Sequence, residues 1–222
     1  MSAYRTYHRR KRRFTGTSSV TILLIIINII VFFVFWVWLL SDQSSLDFFA
    51  IKPSNILQGQ YLWTFVTSMF MHGGFFHLFV NMISLFFIGS LVERLIGPKR
   101  YLWFYLLSGI FASILFVLLS LIFKSDFNTF AVGASGALFG LIGFLMLITP
   151  NLPVFIMFIP IPIKMKYAAP GILIVLWLIS IAGNIPIGNT AHLGGLVAGL
   201  IYGAYIRKRY RNKVKLISRR FS

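Results

Sequence analysis

Gly133-Ala134-Ser135-Gly136-Ala137-Leu138-Phe139-Gly140 sets one hydroxyl between two glycines, immediately ahead of an apolar run. Glycine permits sharp turns and close helix approach. A serine in the first turn of a helix has its Oγ near backbone N–H groups without intrahelical partners, where negative charge is favoured. Such a place suits a nucleophile that generates an oxyanion. It equally suits small residues that pack membrane helices together. The surrounding chain has to decide between these readings.

That chain is 222 residues long, 58% hydrophobic and 11% charged, with a mean hydropathy of +0.86. A soluble domain of this size cannot hide so much apolar surface, so the class is an all-α polytopic membrane protein. The length allows one compact bundle with short tails. Cysteine is absent, which excludes disulfides, thiolate metal sites and a cysteine nucleophile.

Six apolar spans can be traced. They are Val20–Leu40, Phe75–Val92, Tyr101–Phe123, Ser135–Ile148, Ala168–Ala182 and Thr190–Ile206. The first is too long, and too rich in tryptophan, for a cleaved signal segment. Residues 41–74 form a long loop, apolar enough to lie in the membrane interface. Prolines at 150, 153, 160 and 162 forbid a continuous helix over residues 150–166, and that stretch also belongs at the interface. The resulting division is a basic cytoplasmic tail (1–19), a six-helix membrane domain (20–206) with a short central helix 4, and a second basic cytoplasmic tail (207–222).

The basic residues fix the orientation. With both termini inside, the inner segments hold all 21 Lys and Arg residues except Lys52 and Lys124, as the positive-inside rule requires. The formal charge of +17 is concentrated in the two tails. Beside membrane spans such tails contact anionic lipid, and no nucleic-acid partner is expected. An integral, multi-pass protein of a prokaryotic plasma membrane is the expected setting.

Polar residues inside spans are candidate functional groups. Spans 2, 4 and 6 all run from outside to inside, and His77, Ser135 and His192 each lie near the start of one. Three distant segments thus bring polar groups to one depth. Span 4, at ~1.5 Å per residue, is roughly 21 Å long against a hydrocarbon core of ~30 Å, which sinks Ser135 roughly 9 Å below the outer interface. Irregular backbone above it needs a wet cavity or cover by protein, so a water-filled pocket open to the outside is predicted.

Gly195, Gly199 and Gly203 follow His192 on one face, and Gly136, Gly140 and Gly143 form a stripe on span 4. If those faces meet, the His192 imidazole lies opposite Ser135 and can take its proton. The bland alternative is a packed histidine bonded to a carbonyl. The four acids, Asp42, Asp47, Glu93 and Asp126, lie in outer loops or at the inner end of span 2, so a Ser-His dyad is expected rather than a triad. His77 and Asn81 share a helix face. The Asn81 amide, His77 and the Ser135 N–H are candidate donors to a tetrahedral oxyanion. Otherwise they form an interhelical polar pair. His72 could brace the outer loop.

Other chemistries lack their residues. Ala137 occupies the place where a hydrolase nucleophile elbow needs glycine. No His-Glu-x-x-His is present, and three histidines without a nearby carboxylate make a poor metal site. No metal or cofactor is expected.

Together, Gly133-Ala134-Ser135-Gly136, His72…His77-x-x-x-Asn81 and Ala191-His192-x-x-Gly195-x-x-x-Gly199 resemble the rhomboid family of intramembrane serine proteases. The resemblance covers span 1 through span 6. It implies the minimal six-helix form, Ser135 as nucleophile, His192 as general base, and an oxyanion held by Asn81, His77 and backbone N–H groups. It also implies a membrane-embedded first loop, and substrate admission past a mobile fifth helix or cap loop. Trp63-Thr64 resembles that loop's Trp-Arg pair, with threonine in place of arginine. The function it implies is endoproteolysis of single-span membrane proteins near the outer face. The alternatives are a non-catalytic member of the fold that binds membrane segments, and a small channel. The near absence of charge inside the spans argues against the channel.

Overall fold

The structure is a computed structural model, and it describes residues 19–41, 46–156, 161–183 and 187–221. The amino-terminal tail to residue 18, with His8, and also Asp42, Pro160 and residues 184–186 lie outside the described residues.

The described residues are mostly helical. Helix α1 (Val20–Ser41) is followed by three short helices in the long loop, α2 (Leu46–Phe49), α3 (Pro53–Leu57) and α4 (Thr64–Thr67). Helices α5 (Phe75–Ser84) and α6 (Ser90–Ile96) form one continuous rod, joined by a single wide π-helical turn at Leu85–Gly89. Then come α7 (Pro98–Ser120), α8 (Ser135–Ile148), α9 (Met165–Gly183), α10 (Asn189–Arg209) and α11 (Arg211–Ser218). The proline-rich connection before α9 forms a small antiparallel pair, β1 (Pro153–Val154) with β2 (Ile163–Lys164).

Among the described residues four helical runs are long and apolar enough to cross a membrane: residues Val20–Leu39, the α5–α6 rod, α7 and α9. Two of the six expected spans fall outside that set. Helix α8 has only 14 residues, and α10 is diluted by glycines and ends in Arg207, Lys208 and Arg209. Both departures share a cause. These two helices bury themselves against each other, where small residues serve better than bulky apolar ones. Large apolar side chains instead point outward from the other helices, as with Phe76, Phe87, Trp103 and Ile181, which suits a surface bathed in lipid.

Helix α8 carries no charge, and every residue from Ala137 to Leu145 is buried. A helix that is apolar on all sides belongs inside. Its tightest neighbour is α10. A Cβ on residue 195 would collide with the Gly136 carbonyl, and a Cβ on residue 199 with the Gly140 carbonyl. On another side α7 runs antiparallel, with Ala112 beside Gly136 and Ser108 beside Gly140. Deeper along the same helices Phe104, Phe144 and Tyr202 pack ring against ring, with centroids 4.5–5.6 Å apart.

The remaining elements are fixed by polar ties. The Glu93 carboxylate at the end of α6 accepts from Ser19 Oγ (2.8 Å), Thr21 Oγ1 (2.7 Å) and the amides of Val20 (2.9 Å) and Thr21 (3.0 Å). It therefore satisfies the otherwise unpaired first turn of α1 and complements that helix's dipole. At the opposite end, the long loop clasps the segment before α8. Ile51 and Ala131 exchange both backbone hydrogen bonds (3.2 and 2.9 Å), and the Ser54 amide donates to the Phe127 carbonyl (3.0 Å). Trp63 Nε1 donates to the Phe48 carbonyl (2.8 Å), Thr67 Oγ1 to that of Phe49 (2.9 Å) and Thr64 Oγ1 to that of Tyr61 (2.7 Å). Threonine at 64 thus anchors its own turn, while Trp63 ties the loop together.

The basic stretch after residue 206 is helical. Helix α10 continues to Arg209 and α11 folds back, burying Val214. Val214 and Ile217 supply the one apolar stripe that a purely charge-based reading passes over.

Replacing Gly199 by alanine should lower stability by about 1–3 kcal/mol, because the new methyl group meets backbone rather than a yielding side chain. Gly171→Ala in α9, with open space around it, should leave stability within about 0.5 kcal/mol. Thermal unfolding of both variants in detergent, followed by circular dichroism, checks the pair.

Candidate active site

Ser135 opens α8. Immediately before it, Gly133 has φ +124°, in the left-handed half of backbone space that favours glycine. The Gly133 amide donates to the Ser68 carbonyl (2.9 Å). A Cβ at 133 would lie 2.8 Å from His77 Cε1 and 2.9 Å from its Nε2. The missing side chain is therefore what lets the His77 ring approach the Ser135 turn. The first ladder bond of α8 runs from the Leu138 amide to the Ala134 carbonyl (3.0 Å). The N–H groups of Ser135, Gly136 and Ala137 precede that ladder and are the donor end of the helix.

Ser135 Oγ and His192 Nε2 are 2.8 Å apart, the distance of a good hydrogen bond. The glycine contacts described above produce this meeting, since Gly195 and Gly199 sit one and two turns below His192 on the same side of α10. Ser135 and His77 are half-buried, whereas His192 and Asn81 are buried.

His192 Nδ1 is buried with no hydrogen-bond partner among the described residues. Among the described residues no carboxylate bonds this ring. Its face is held instead by Phe139, stacked at 4.6 Å between centroids and 21° between planes. Phe139 is four residues after Ser135, so one helix face presents both the hydroxyl and the ring that steadies its partner.

Asn81 Nδ2 donates to the His77 carbonyl one turn earlier (2.8 Å). This holds the amide in place and uses one of its two N–H groups. His77 Nδ1 faces the Gly73 amide at 3.4 Å. The geometry brings together Ser135, His192, Gly133 and His77, with Asn81 on the same helix as His77. Gly136, Gly195 and Gly199 belong to the packing beneath. The described residues contain no cluster of three or more His, Asp or Glu side chains able to hold a metal.

The description "Rhomboid domain" matches residues 59–209. The chain belongs to the rhomboid family. RHOMBOID-like protein 1 of Arabidopsis thaliana is 36% identical over 160 residues, covering 69% of this chain and 37% of its own length. Rhomboid protease GluP of Bacillus subtilis is 31% identical over 195 residues, 85% of this chain and 35% of its own. Rhomboid protease AarA of Providencia stuartii is 31% identical over 229 residues, 93% of this chain and 79% of its own. This chain spans less than half the length of plant relatives such as RHOMBOID-like proteins 1 and 5, at 37% and 43%. The family includes intramembrane serine proteases, and also a plant relative named Inactive RHOMBOID-like protein 8, 34% identical over 140 residues (62% of this chain and 36% of its own length). The plant relatives argue against the prokaryotic setting expected from the sequence. An integral membrane protein is what stands.

Two features of this rhomboid site escape a reading of the sequence. One is Phe139, whose spacing from Ser135 is visible but whose stacking partner is not. The other is Asp126, expected to be only a loop acid. Its Oδ2 accepts from Thr190 Oγ1 at 2.8 Å, which pins the start of α10 two residues before His192.

His72 is 2% exposed and meets the His77 ring edge to face at 5.1 Å. Burial first, and the neighbouring His77 second, hold its imidazole well below the ordinary range, at about 3; a weak contact with the Phe70 carbonyl opposes them. The folded pKa lies below the unfolded one. Stability is therefore full above the unfolded value of about 6.5 and declines as pH falls from there toward the folded value, by up to about 1.4 kcal/mol per pH unit. Wild-type protein should lose stability between pH 7 and pH 4, and His72→Phe should flatten that slope. Thermal midpoints measured across the range check this.

Proposed function

We propose that this rhomboid is an intramembrane serine endopeptidase acting through a Ser135–His192 dyad. The 2.8 Å contact between Ser135 Oγ and His192 Nε2 carries the reading. Ser135 Oγ attacks the scissile carbonyl while its proton passes to His192 Nε2. The Ser135 N–H and its neighbours at the head of α8, the free N–H of the Asn81 amide, and His77 stabilise the resulting oxyanion. Collapse breaks the peptide bond, and His192 returns its proton to the leaving amine. Water then hydrolyses the Ser135 ester, activated by the same imidazole. With no carboxylate behind it among the described residues, the imidazole is oriented by Phe139.

The reading extends to topology and substrate. Six membrane helices with a short α8, both termini cytoplasmic, would put Ser135 near the outer face. Single-span membrane proteins with weakened helices at the cleavage point are the substrates, since a regular helix hides its carbonyls from attack. The basic residues of both tails contact anionic lipid. A second reading is favoured by the relative named inactive: a non-catalytic protein of this fold that binds membrane segments. A fluorophosphonate probe separates them, because only an activated Ser135 is labelled.

Cleavage of a tagged single-span substrate in proteoliposomes should fall at least about 10³-fold in Ser135→Ala and His192→Ala, and about 10²–10³-fold in Asn81→Ala. Undiminished cleavage in either dyad variant would overturn the assignment.

A further inference from the structure

The end of the bundle remote from Ser135 is strongly cationic. Apart from Lys52 and Lys124, the described Lys and Arg residues all lie there, and Glu93 is its one described acid. Both Glu93 oxygens are already engaged by the first turn of α1. Two apolar clefts meet at this end, and Arg100 lines both. One, of about 150 Å3, lies between Ile96, Phe144, Ile148 and Val214, with Lys213 at its rim. The other, of about 310 Å3, runs along Trp103, Leu107 and Tyr202, with Lys99 at its head. Lys99, Arg100 and Lys213 are exposed. The described residues pair none of them with a carboxylate.

From this arrangement we propose a built site for one anionic phospholipid of the cytoplasmic leaflet. Its phosphate sits against the Arg100 guanidinium, with Lys99 and Lys213 close by, and one acyl chain follows each cleft. Cations alone would attract any anion, and apolar grooves alone would accept any lipid. A guanidinium between two grooves matches a molecule with one phosphate and two chains. Arg suits the phosphate because it offers several donors in a fixed plane, and Trp103 and Tyr202 are of the type that settles at headgroup level. Helix α11 forms one wall through Val214, so the lipid would bridge α11 to α7. The proposal rests on the reading that the basic end contacts anionic lipid, and goes beyond it by giving the contact a location. It is independent of the proteolytic reading.

Full-length protein in detergent, titrated with phosphatidylglycerol or phosphatidylcholine, is read by native mass spectrometry. Wild type should take up one phosphatidylglycerol in preference to phosphatidylcholine. Arg100→Gln with Lys213→Gln should weaken phosphatidylglycerol binding roughly 30-fold, toward the phosphatidylcholine level. Arg211→Gln with Lys215→Gln removes the same charge outside both clefts and should stay within about threefold of wild type. Leu107→Trp fills a groove without changing charge and should also weaken binding. Equal losses in the two double variants, or unchanged binding in Leu107→Trp, would overturn the site while leaving diffuse attraction intact. No preference for phosphatidylglycerol in wild type would overturn both.

Discussion

Where α8 meets α10, the Gly136 carbonyl fills the space that a side chain on residue 195 would need, and the Gly140 carbonyl does the same at residue 199. Backbone lies directly on backbone. In lipid no hydrophobic force drives helices together, so close packing of this kind supplies the association. The distance from Ser135 to His192 follows from it. A Cβ at residue 195 or 199 would meet backbone there, so the close approach depends on those glycines.

The irregular backbone ahead of Ser135 answers a second constraint, that buried backbone polar groups find partners. Ile51 and Ser68 supply partners for Ala131 and Gly133, so the long loop works as a lid on the segment that aims the hydroxyl. The loop is in turn stitched by Trp63, Thr67 and a cluster of aromatic rings, Phe48, Phe49 and Tyr61 among them. The site is thus tied above by the loop and packed below by the seam, with Ser135 and His77 half-buried between them.

Much of this was legible in the residues. The bounds of α8 coincide with those expected, because an uncharged run between Gly133 and Pro150 leaves little freedom. The two glycine stripes pointed to the α8–α10 contact, and small residues at helical spacing have few other uses. The six-span count was less secure, since α8 and α10 trade apolar bulk for closeness and lose the hydropathy by which spans are recognised. Phe139 and Asp126 were invisible as site residues because their partners, His192 and Thr190, are more than fifty positions away. Helix α11 was hidden by its charge. Only Val214 and Ile217 mark its inner face, too few to stand out among the eight basic residues from Arg207 onward.

The wide turn at Leu85–Gly89 lets a single rod answer to two clients. The half before the turn must offer His77 to Gly133, and the half after it must offer Glu93 to the first turn of α1. An uninterrupted α-helix would lock these halves into one rotational phase, whereas the extra residue in the π turn shifts one against the other by about 100°. The turn therefore works as a phase adjuster. It lets the half that carries His77 and the half that carries Glu93 satisfy different neighbours, and losing one residue there would misalign whichever half failed to follow.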